Sequence, residues 1–147
     1  MSYKVIVVGT DGSDRATVAV SEALALAKVS GAELHAVHMV HPAVSAGFAD
    51  TRSAQFEVAG MRDEAEKIKA KLLADAESEG VSLVVHNPGG DDAADAILSI
   101  AEAVGADLIV VGNRGMSGMA RFVLGSVPNK VAHRCPCSVL IVDTDRA

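Results

Sequence analysis

The chain has 147 residues, of which half are apolar, 3% aromatic and 22% charged, with a formal net charge of -6. That length suits one domain with a buried core, and the apolar fraction is far above the range of disordered chains. An acidic balance and few aromatic rings argue against nonspecific nucleic-acid binding, which needs basic surface and stacking platforms.

The opening segment "MSYKVIVVG" lacks the layout of a secretory signal, and no apolar stretch is long enough to cross a bilayer. The expectation is a soluble, cytoplasmic protein without a membrane partner. In chain order, apolar runs at 4–9 (KVIVVG), 34–40 (LHAVHMV), 81–86 (VSLVVH), 107–112 (DLIVVG) and 138–143 (SVLIVD) read as strands. They are β-branched and nearly continuous rather than alternating, the pattern of strands buried on both faces. Helices are expected between them. The first runs from about Ser13, behind a Ser/Asp cap, to Ser30 before Gly31. The second runs from about Glu57 to Glu79 with Val58, Met61, Ala65, Ile68, Leu72 and Ala76 on one face. The third starts at "GGDDAAD", turns Ala94, Ile97, Leu98, Ala101 and Val104 inward and stops at Gly105; the fourth starts at Ser126 with Pro128 in its first turn. Residues 41–56 show no period and read as a long loop, either a lid or a surface connection. Strands alternating with helices give a doubly wound α/β domain spanning 1–147.

In such a sheet the ligand crevice lies outside the carboxyl ends of the strands. Two of the loops found there combine glycine, hydroxyl and charge: "GTDGSD" after the first strand and "GNRGMSGMARFVLGS" after the fourth. In the latter, Gly112, Gly115 and Gly118 admit close backbone approach, Gly125-Ser126 opens a helix whose N–H groups favour an anion, and Arg114 and Arg121 add positive charge. In the former, Asp11 suits ribose hydroxyls or a divalent cation beside phosphate, and it also suits a turn with Ser13; Gly9 is small enough to let a ligand reach the sheet. There is no P-loop, no G-x-G-x-x-G, no H-E-x-x-H and no G-x-S-x-G, and His35, His38, His41, His86 and His133 are scattered. No catalytic residue and no protein metal site is assigned. Cys135 and Cys137, one residue apart, make a poor disulfide and half a zinc site, and read as small buried groups.

The spacing Gly112, Gly115, then nine residues to Gly125-Ser126, is similar to the G-x2-G-x9-G-[ST] pattern of the ATP-binding universal stress proteins. "VIVVGTDGS", "DLIVVG" and "CPCSVLIV" resemble other parts of that family, so the resemblance spans the chain. It implies a Rossmann-like, five-stranded parallel sheet of order 3-2-1-4-5 with helices on both faces, and an adenine nucleotide, ATP or cyclic AMP, held at strands 1 and 4. By position, Asp11 would meet the ribose and the backbone at Met39 and Val40 the adenine edge. Gly112, Gly115, Gly125, Ser126 and Val127 would wrap the phosphates, with Gly9, Thr10, Asn113, Arg114, Met116, Ser117, Gly118 and Arg121 completing the set. Thr10 stands where some members carry proline. ATP would bring Mg2+ with it. The resemblance further implies a homodimer through 138–143. The function expected is a nonenzymatic sensor, buffer or switch in stress response, the alternative being a slow ATPase or nucleotidyl-transfer enzyme. A receiver domain would need a phosphoacceptor aspartate after the third strand, where the chain has "HNPGG", and a flavodoxin-like carrier would need flanking aromatics.

Overall fold

The computed structural model describes residues 2–40, 51–114 and 124–145. The strands are β1 (Val5–Thr10), β2 (Glu33–His38), β3 (Leu83–His86), β4 (Leu108–Gly112) and β5 (Ser138–Val142). The helices between them are α1 (Ala16–Ser30), α2 (Arg52–Glu79), α3 (Ala93–Val104) and α4 (Ser126–Arg134). All neighbouring strands pair in parallel, in the order β3-β2-β1-β4-β5. The doubly wound order implied by the sequence is the one observed.

Alternation along β1 explains the two layers of core. Ile6 and Val8 point to one face, where they meet Val20, Ala23 and Leu24 of α1 and Leu72 and Ala76 of α2. Val7 points to the other, where it meets Ile97 and Ala101 of α3 and Val131 of α4. A central parallel strand must be apolar on both sides because helices cover both faces. Cys135 and Cys137 are free, half-buried thiols against the α3/α4 layer.

Burial on both faces holds for the centres of β1, β2 and β4 but not for the edge strands. Val84 of β3 is 41% exposed and Ile141 of β5 is 36% exposed, because an edge strand lies partly beyond the helices that cover the centre.

The helix boundaries carry two corrections. The unperiodic stretch expected at 41–56 becomes helical at Arg52, and residues 41–50 lie outside the described part of the chain. Thr51 caps α2, its Oγ1 accepting from Ala54 N at 3.0 Å. The first turn of α2 carries no apolar step, and none of residues 52–64 is buried, Val58 and Met61 included. Phe56 is 69% exposed, and Met61, expected to face inward, is exposed as well. The stripe begins to bury at Ala65. α1 starts at Ala16 rather than Ser13, since residues 11–14 are occupied by a turn; Ser13 Oγ still accepts from Ala16 N at 3.2 Å. Gly31 and Gly105 end α1 and α3 at φ 69° and 67°, the left-handed conformation glycine adopts most easily.

At the amino ends of the strands, Asp107 ties β1 to β4. Its carboxylate accepts from Lys4 N at 2.9 Å and Val5 N at 3.2 Å, while its own N–H donates to Val5 O at 3.0 Å. Among the described residues no helix is long and apolar enough to cross a membrane.

Candidate functional site

Strand order reverses between β1 and β4, so their connections depart to opposite faces and leave a crevice at the carboxyl ends. A cavity of about 460 Å³ lies there. Gly9, Thr10 and Asp11 reach it from β1, Met39 from the end of β2, Gly112 and Arg114 from β4, and Gly125, Ser126 and Val127 from the start of α4.

The floor is set by close packing. Asn113 O accepts from Gly125 N at 2.9 Å, and Asn113 N donates to Val142 O at 2.9 Å. One residue thus joins the end of β4, the end of β5 and the beginning of α4. A Cβ on Gly125 would sit 3.3 Å from that same Asn113 oxygen, so glycine suits the approach of helix to strand.

α4 opens onto the cavity without a side-chain cap at Gly125, whereas Asp92 caps α3 by accepting from Asp95 N at 3.0 Å. The first N–H groups of a helix have no acceptor within it. Here those of Ser126 and Val127 belong to residues lining the cavity, and Pro128 has no N–H to satisfy. Aligned peptide dipoles add partial positive charge at the same end.

Arg114 supplies a full charge. Its side chain is 11% exposed, and its Nη2 donates to Asp145 Oδ1. Asn113 Oδ1 accepts from both Thr144 N (3.1 Å) and Thr144 Oγ1 (2.9 Å), which fixes the segment carrying Asp145. On the opposite side, Asp11 Oδ1 accepts from Ser13 N at 2.9 Å and from Ser13 Oγ at 2.6 Å. Thr10 Oγ1 accepts from Gly12 N at 3.1 Å, so Thr10 and Asp11 together shape a turn that passes through Gly12 at φ 78°. Asp11 therefore plays the turn-forming part and still faces the cavity.

A smaller hollow of about 300 Å³ adjoins the first, sharing Asp11 and Met39 with it. Val40 lines this second hollow and not the first, and its N–H donates to Pro88 O at 3.0 Å. His38 also borders it. The ring is 8% exposed, and Asn87 Nδ2 lies 3.3 Å from its Nδ1. Burial lowers the His38 pKa, opposed by the carboxylates of Asp11 and Glu64. The other buried imidazole, His35, bridges Glu33 (2.5 Å from its Nε2) and His86 (2.9 Å from its Nδ1) along the β2–β3 edge, away from the cavity. Since the carboxylate only accepts, His35 Nε2 donates to it, and in a neutral ring Nδ1 then accepts from His86 Nε2.

Of the residues singled out in the sequence, Gly9, Thr10, Asp11, Met39, Gly112, Arg114, Gly125, Ser126 and Val127 share the larger cavity. Asn113 braces it from behind, and Gly115, Met116, Ser117, Gly118 and Arg121 lie outside the described residues. Sequence reasoning misses the apolar walls: Ala16 and Ala19 of α1, and Ala93 and Ile97 of α3. For Ala16 and Ala93 the signal is a small residue opening each helix that follows a carboxyl-end loop.

A family model described as the universal stress protein family matches residues 2–143. The chain belongs to the universal stress protein family. Universal stress protein Rv1636 of Mycobacterium tuberculosis is 36% identical over 152 aligned positions, covering 97% of this chain and 98% of its own. Universal stress protein MJ0531 of Methanocaldococcus jannaschii is 34% identical over 140, covering 95% and 82%. Among solved structures, a universal stress protein in complex with cAMP superposes with a TM-score of 0.73 at 33% identity, covering 98% of this chain and 99% of its own. The universal stress protein of Archaeoglobus fulgidus in complex with dAMP gives 0.68 at 27% identity, covering 97% and 100%.

Proposed function

We propose that this universal stress protein binds an adenine nucleotide between the carboxyl ends of β1 and β4 and works as a nonenzymatic sensor, buffer or switch. The observation that carries the reading is the polarity of the cavity. Its α4 side is lined by an uncapped helix start, by Ser126 and by Arg114, while its β1 side is lined by Asp11. Phosphate suits the first side and ribose hydroxyls the second. The apolar walls between them, Val37, Met39, Ala93 and Ile97, suit a base. Solved family members in complex with cAMP and dAMP support the same ligand class.

Asp11 is the carboxylate among the described residues lining this cavity, and it is the group that would hold Mg2+ if a triphosphate brought one. The sheet ends at β5, an edge with Ile141 exposed, which suits pairing with a second copy of the chain.

Mass spectrometry of ligand released from the purified protein, followed by calorimetric titration with ATP, AMP and cyclic AMP, tests the reading. Saturable binding of an adenine nucleotide without steady-state turnover is the expected result. Absence of binding to all three would overturn it. Turnover above background that Asp11→Ala abolishes would replace the sensor with an enzyme.

A further inference from the structure

We propose that Asp145 sets how much phosphate charge the site prefers, acting through Arg114; this rests on the nucleotide reading above. Arg114 is the cation among the described residues lining the larger cavity, and its guanidinium is paired with Asp145.

The pairing is built by the fold. Thirty-one positions separate the two residues, yet Asn113, the neighbour of Arg114, holds the segment that carries Asp145, and a local turn orients that segment. Asn113 N donates to Val142 O, Asn113 Oδ1 accepts twice from Thr144, and Asp145 N donates to Asp143 Oδ1 at 3.1 Å. Thr144 is buried, with its Cγ2 where a Cβ on Gly112 would fall, at 2.7 Å. Asp145 is thereby delivered to Arg114 by an anchored neighbour, Thr144.

Its effect on ligands depends on their charge. The helix start at Gly125-Ser126 favours an anion whatever its valence. Beyond that first contact, a carboxylate bonded to Arg114 cancels much of the guanidinium's field. Each further phosphate charge then gains little from Arg114 and is repelled by Asp145, with Asp11 repelling it from the other side. The arrangement favours a nucleotide with one phosphate over one with three. Removing the Asp145 charge releases the Arg114 field and helps the triphosphate more than the monophosphate. Asp145 is thus a positioning residue that acts through Arg114.

The test is calorimetric titration of the full chain with AMP, cyclic AMP and ATP, in the presence of a chelator so that divalent cations do not neutralise the triphosphate. The proteins compared are wild type, Asp145→Asn, Asp145→Glu, Arg114→Gln and the Arg114→Gln/Asp145→Asn double variant. In Asp145→Asn the ATP-to-AMP affinity ratio is expected to rise about five-fold or more. Asp145→Glu is expected to keep the wild-type ratio, and the rise is expected to vanish in the Arg114→Gln background. A ratio unchanged in Asp145→Asn, or a rise that persists without Arg114, overturns the inference while leaving nucleotide binding in place. Failure of the wild-type protein to bind any of the three overturns both.

Discussion

Ile97 fills the space above Gly9: a Cβ added to the glycine would fall 2.5 Å from Ile97 Cδ1 and 3.3 Å from its Cγ1. Ile97 is also a wall of the larger cavity, so packing and the proposed nucleotide binding would share one side chain at this point. Gly9→Ala must push the isoleucine tip aside, and the open direction is into the cavity. The expected cost in stability is about 1–3 kcal/mol, typical of overpacking. Urea denaturation measures it, and titration is expected to show weaker nucleotide binding in the same variant.

Ser126→Ala separates binding from folding. Ser126 is exposed at the first turn of α4, and its hydroxyl makes no hydrogen bond among the described residues. Removing it leaves the folded protein without a lost partner. Against a bound phosphate the loss of a charge-assisted bond is expected to weaken affinity by about 1.5–3 kcal/mol. Calorimetry should show that loss with an unchanged melting temperature of the ligand-free protein; equal affinity in both proteins would take the hydroxyl out of the site.

Acid should destabilise the fold through its half-buried and buried imidazoles. Burial lowers the His38 pKa, and burial followed by the neighbouring His35 lowers that of His86, both from the ordinary imidazole value of 6.5. Above that value the rings are neutral in the folded and unfolded chain alike, and neither contributes a pH slope. As pH falls below 6.5 the unfolded chain takes up protons that the folded chain still refuses, so stability declines until the folded-state pKa values are passed. Denaturant midpoints between pH 7 and pH 5 should fall in the wild type and fall less steeply in His38→Gln/His86→Gln. Parallel slopes in the two proteins would assign the acid sensitivity elsewhere.

Asp107→Ala makes the reverse separation. Its carboxylate serves two backbone N–H groups at the start of β1, at the amino ends of the strands and opposite the cavity. Those groups lose an acceptor at a site water partly reaches, for an expected cost of about 1–2 kcal/mol. Nucleotide affinity should stay at the wild-type value when measured well below the melting temperature.

The centre of the fold is readable because β1 and β4 are buried on both faces along their middles, and a continuous β-branched run such as Ile6–Val8 suits a strand covered from both sides. The edges are harder. "VSLVVH" and "SVLIVD" carry the same pattern, but how far the helices extend over Val84 and Ile141 is a property of tertiary structure. The first turn of α2, residues 52–56, is hidden for a related reason: none of those residues is buried, so the apolar step that marks the helix from Glu57 on does not reach it. In the site, Asp11, Arg114, Gly125 and Ser126 are legible because glycine, hydroxyl and charge cluster at strand ends, where a structural core has no use for them. Ile97 reads as core alone, since an apolar residue on an inward helix face looks the same whether it meets side chains or a cavity. The Asp145 partner of Arg114 leaves no local signal, because their encounter depends on β4 and β5 being neighbours.

The hydrogen bond from Gly125 N to Asn113 O has a consequence for how such a protein diversifies. Asn113 follows the last residue of β4 and Gly125 precedes the first residue of α4, so this one bond ties the end of a central strand to the start of the helix that follows it in sequence. The strand end and the helix start therefore keep a fixed spacing that is set by backbone atoms alone, so side-chain substitution at Asn113 leaves the bond itself available.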